Sequence, residues 1–120
     1  LSGLVGSEMC IRDSVETVMP VDEARRDEAI VVVELIMASR TMPVFRATSA
    51  RMATNLDAVL LEALECLRVP EADLAAAQLA AIIGGLTLDA VTPHGALSVD
   101  RLRAVLRSHL RMLLATPHHG

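Results

Sequence analysis

Apolar residues recur at steps of three and four along nearly the whole chain, and prolines cut that pattern into separate helices. Val15 to Met19 reads as the tail of an earlier element, stopped at Pro20. A first full helix is predicted from Asp22 to Ser39. Asp22 is placed to cap its open amide groups, and Glu23 lies well against the positive end of the helix dipole. Ile30 to Ala38 is apolar on nearly all sides, the pattern of a helix packed from several directions. A second helix is predicted from Pro43 to Arg68, with Pro43 in the first turn, where a missing amide hydrogen costs nothing. Its apolar stripe runs through Phe45, Met52, Leu56, Val59, Leu60, Ala63, Leu64 and Leu67. Arg46, Arg51, Asp57, Glu62 and Glu65 fall largely off it.

A third helix follows Pro70 and runs to Val91, where Thr92-Pro93-His94-Gly95 breaks it. Leu79, Ile82, Ile83, Leu86 and Ala90 form one face. Ala77, Ala81 and Gly85 form another at four-residue steps, beside Ala80 and Gly84. The glycine pair costs roughly 2 kcal/mol of helix propensity relative to alanine. Either a close helix approach offsets that cost, or the pair kinks the helix. A fourth helix follows Ser98, a good cap, with Asp100 in its first turn. Leu102, Val105, Leu106, His109, Leu110, Leu113 and Leu114 make a broad apolar stripe, with Arg103, Arg107 and Arg111 on the other side. The tail from Thr116 is expected to fray. No strand pattern occurs, so the expected fold is an all-α bundle of about four long helices.

Composition narrows the core more than the function. Hydrophobic residues make up 52% of the 120 residues, yet there is one Phe and no Tyr or Trp. The core must be built from Leu, Ala, Ile, Val and Met. The net charge is −4 and every basic residue is Arg. Such a balance excludes the concentrated positive surface that nucleic-acid binding needs. No apolar run is read as long enough to cross a membrane.

Leu4-Val5-Gly6-Ser7-Glu8-Met9-Cys10-Ile11-Arg12-Asp13-Ser14 is similar to one reading-frame translation of a transposase adapter used in DNA library preparation. Residues 1–14 are therefore expected to be a non-native scar, to be set aside before fold reasoning. Residues 15–120 are then the domain proper. With Cys10 set aside, Cys66 has no disulfide or metal-ligand companion, and a reducing cytoplasm is the expected compartment.

Enzymatic chemistry finds no foothold. Ser98 is a cap, with no His or acid motif beside it. His118 and His119 lie in the tail with no Cys, Asp or Glu beside them, so no metal site is read, and no cofactor motif occurs. His109, inside an apolar stripe, reads as a core or interface histidine, and the arginine row as a solvated face.

Several motifs do resemble a known family. Met19-Pro20-Val21-Asp22-Glu23-Ala24-Arg25-Arg26-Asp27-Glu28-Ala29 is similar to the opening of the C-terminal domain of BetI-like TetR/AcrR transcriptional regulators. Ala80-Ala81-Ile82-Ile83-Gly84-Gly85-Leu86-Thr87-Leu88 resembles the family's ALIDGL helix, with Gly84 replacing the usual acidic residue. A break, a cap at Leu97-Ser98 and a final Leu-rich helix follow in the family's order. The resemblance spans nearly all of Val15 to Ala115. It implies a cytoplasmic homodimer with an N-terminal helix-turn-helix for operator DNA, which this chain is expected to lack.

The resemblance also implies two sites. The last two helices would pair with a second copy through Ala77, Ala81, Gly85, Leu102, Val105, Leu106, His109 and Leu113. A small apolar or amphipathic effector would sit among Ile36, Met37, Phe45, Met52, Asn55 and Leu56. Methionine is adaptable and suits such cavities, though it serves cores equally well. The competing reading is a ligand-free helical-bundle module for homodimerisation or other interaction.

Overall fold

The computed structural model describes the backbone of residues 2–115 and the side chains of residues 8–115. The tail with His118 and His119 lies outside the described residues. Five α-helices follow in order: α1 (Ser2–Glu16), α2 (Glu23–Ala38), α3 (Arg46–Cys66), α4 (Ala72–Val91) and α5 (Val99–Ala115). A short 3-10 turn, Pro43–Phe45, leads into α3. No strand occurs among the described residues.

The expected count of four helices is corrected to five, because the segment set aside as a scar is itself helical. α1 takes in residues 4–14. Its Ile11 and Val15 are buried with Met19 in the common core, and Glu8 pairs with Arg111 at 3.2 Å.

The helix ends follow local chemistry. Asp22 caps α2 by accepting the Arg25 amide at 2.8 Å, and Ser98 caps α5 by accepting the Arg101 amide at 3.1 Å. Pro43 does not open an α-helix: Met42 before it is extended, and no side chain caps the turn. α3 ends in a reversal where the Val69 amide donates to the Leu64 carbonyl and the Arg68 amide to that of Glu65, both at 3.0 Å. This is the paired bond pattern of a Schellman motif, with Arg68 at φ 57 where glycine is usual. Val69 closes it by burying its side chain.

α4 is the centre of the bundle, in contact with α2, α3 and α5, while α1 packs on the far side of α5. Leu79 of α4, Leu64 of α3 and Leu102, Leu106 and Leu110 of α5 are wholly excluded from solvent. The aliphatic core expected from the composition is what forms, with Phe45 only half-buried. By length and mean hydropathy (1.7) α4 would be apolar enough to span a membrane. That corrects the expectation that no run reaches such a length. A bundle centre needs a helix apolar on most of its circumference, and α4 fills that role.

α2 departs from expectation. Its apolar second half is not enclosed: Val31 is 65% exposed and Met37 50% exposed. α3 lies along α4 rather than over α2, so only Ala29 of α2 is buried. One polar link fixes the helix: the Arg26 guanidinium donates to the Ala90 carbonyl at 2.6 Å, near the end of α4.

The turn from α4 to α5 is tight. The Leu97 amide donates to the Asp89 carbonyl at 3.1 Å. A methyl group on Gly95 would fall 2.7 Å from the Asp89 Cα, with its side chain closer still. Gly95→Ala therefore should lower stability by about 1–3 kcal/mol, the usual cost of forced overpacking, measured as a reduced denaturation midpoint.

Candidate dimerisation face and effector surface

The outer side of α4 carries an apolar seam that its own chain leaves uncovered. Leu74, Ala77, Ala81, Gly84 and Leu88 are all exposed. Their spacing alternates three and four, the a/d repeat by which two helices interlock. Gly85 and Gln78 flank the seam. From Leu74 to Leu88 the helix has no ionisable residue, and Asp73 and Asp89 bracket it. α4 runs unbroken through Gly84 and Gly85, where an added methyl would meet nothing within 4 Å. Among the described residues, nothing in the chain's own packing therefore asks for glycine at these two positions.

α5 continues this surface. Val105 is 37% and Met112 68% exposed, and with Ala104, Ser108, His109 and Arg101 they line an open groove of about 420 Å³ closed on the α4 side by Ile82. His109 is half-buried and its Nε2 has no hydrogen-bond partner among the described residues. Burial pushes its imidazole below its ordinary value. No carboxylate lines the groove.

The residues expected at a dimer interface divide in two. Ala77, Ala81, Gly85 and Val105 face outward, and His109 lines the groove. Leu102 and Leu106 are corrected: wholly buried in their own chain, they form the inner side of α5 against α4 and α1. Leu113 is half-buried against that same core. The broad stripe of α5 merged two faces, an inner one and an outer one a third of a turn away. Leu74, Leu88 and Met112 belong to the outer surface and were missed. The seven-residue repeats Leu74–Ala81–Leu88 and Val105–Met112 were the signal that would have found them.

The effector candidates are less gathered. Ile36, Met37 and Asn55 are exposed, while Phe45, Met52 and Leu56 are half-buried. α2 and α3 meet chiefly through the 3-10 turn and α4. None of the six lines the groove beside α5 or a second one of about 400 Å³ between Ala58 and Cys66 on α3. What the region offers is an open apolar flank, with Met42 and Val44 also exposed beside Ile36 and Met37.

Comparison with known proteins bears on this arrangement. The sequence pattern of the C-terminal domain of BetI-type transcriptional repressors matches residues 10–115. The chain belongs to the TetR family. The fold is also similar to the crystal structure of a transcriptional regulator from Rhodococcus sp. Rha1, at a TM-score of 0.83 and 25% identity. That match covers 92% of this chain and 70% of the other. No curated protein matches the chain. TetR-family regulators bind operator DNA and act as dimers with small-molecule effectors, and their activity is regulatory rather than enzymatic. The resemblance drawn from the Pro20 turn, the Gly84-Gly85 helix and the Ser98 cap identified this family correctly.

Proposed function

We propose that this chain is the effector-binding and dimerisation domain of a cytoplasmic TetR-family repressor, with operator contact made by a part outside these five helices. The observation that carries the reading is the uncovered, charge-free heptad seam of α4, continued by the outer row of α5. In a two-fold pair each seam meets its own copy, so the surface must be complementary to itself. Alternating large and small residues, Leu74 and Leu88 with Ala77, Ala81 and Gly84, serve that need. The net negative charge agrees with a domain that does not itself hold DNA.

The apolar flank around Ile36, Met37 and the 3-10 turn is where a small apolar or amphipathic effector would bind. An effector shifts a regulator only through unequal affinity for its two arrangements. α1 is the element through which a shift would pass outward, since Glu16 pairs with Arg103 of α5. Thermal unfolding followed by circular dichroism, against a panel of small amphipathic molecules, tests this. At least one compound should raise the midpoint, and Ile36→Glu, tolerated at an exposed site, should abolish the rise. A panel without effect would favour the ligand-free interaction module, a reading supported by the scatter of the six candidate residues.

A further inference from the structure

We propose that association of two copies through the α4–α5 face is governed by the charge on His109, the neutral imidazole permitting it and the imidazolium opposing it. The proposal rests on the dimer reading above and adds its regulation. His109 is half-buried at the edge of the groove, and its Nε2 is enclosed without a partner among the described residues. A second copy seated on this face would remove the remaining water. A neutral ring tolerates that loss, whereas an unpaired cation in an apolar interface costs far more.

The charged surroundings offer no rescue. On α5 the groove holds Arg101, a like charge. α4 contributes Ile82 to it, and the only carboxylates of α4, Asp73 and Asp89, lie near its two ends. α1 packs on the other flank of α5, where Glu8 and Glu16 are engaged by Arg111 and Arg103. Asp100 acts on Arg103 on that same flank, and Arg107, another like charge on α5, has a buried Nε with no partner among the described residues. Two-fold symmetry brings His109 and Arg101 in from both copies, which doubles the positive charge.

The direction of the effect follows from the further burial that pairing imposes on the enclosed, unpartnered Nε2. The contribution of His109 to association is complete above its ordinary value, about 6.5. It is lost as the pH falls through the lowered value of the single chain toward the still lower one of the pair, because the separated chains then bind the extra protons. With one histidine on each side, the dissociation constant should rise as the pH falls from 7.5 toward 5.5, by the square of the factor that one imidazole sets.

Sedimentation equilibrium of the full chain between pH 5.5 and 8.0 reads the constant directly, with circular dichroism confirming that the helices persist. The expected result is acid-weakened association in the unaltered chain and in His94→Gln, and little pH dependence in both His109→Gln and His109→Leu. A dimer of constant strength across the range would overturn the proposal while sparing the interface. Acid weakening that persists in both His109 variants would overturn it too. A chain that is monomeric at every pH would remove the interface itself, and this proposal with it.

Discussion

Gly85→Leu should convert the proposed dimer to a monomer at concentrations where the unaltered chain pairs, with its helix content undiminished. The expectation combines two facts. Within one chain a side chain at Gly85 has open space around it, so the fold has no steric reason to object. Replacing glycine inside a helix also removes a propensity penalty of roughly 0.8–1 kcal/mol. The variant chain should accordingly be as stable as the parent or more so. In the proposed pair the same position would border the seam where two backbones approach, and four added carbons there would hold the helices apart. Light scattering reads the result as a halved mass. An unchanged mass would show that the α4 seam faces water, and the interface would have to lie elsewhere.

Leu106→Ala should act in the opposite manner, lowering the stability of each chain by about 2–5 kcal/mol, the range for deleting a fully enclosed leucine. Leu106 is wholly buried between the two elements that flank α5, and an alanine there leaves a void that rigid helices on both sides cannot fill. Leu88→Ala is the matching control. It removes the same atoms from a site 41% exposed in the single chain, and should change chain stability little while weakening association. Urea denaturation at concentrations below pairing separates the two. A mild effect of Leu106→Ala, near that of Leu88→Ala, would contradict the assignment of Leu106 to the core.

The two substitutions mark how far the sequence could be read. Helix periodicity, the Asp22 and Ser98 caps and the breaks at Pro20, Pro70 and Pro93 located α2 to α5, because each is a local signal with a local cause. α1 was passed over because its residues were set aside on other grounds. The sidedness of α5 was blurred for a physical reason: its hydrophobic arc spans both an inner and an outer contact, and a one-dimensional pattern cannot say which leucine meets which neighbour. Leu102 and Val105 look alike in sequence and differ only in what α4 and α1 cover. The openness of α2 was hidden in the same way, since an apolar run records what a helix can bury and not whether another element arrives to cover it. The unpaired Nε2 of His109 had no sequence signature at all, being a matter of where neighbouring chain ends up.

The link between Arg26 and the Ala90 carbonyl has a mechanical side. It rivets the first turns of α2 to the last turn of α4, next to the bend that aims α5. A molecule wedged along the loose half of α2 would therefore pull on a lever whose fulcrum is the bundle's central rod. The bend between α4 and α5 would feel that torque first, with the leucines of the interior left undisturbed.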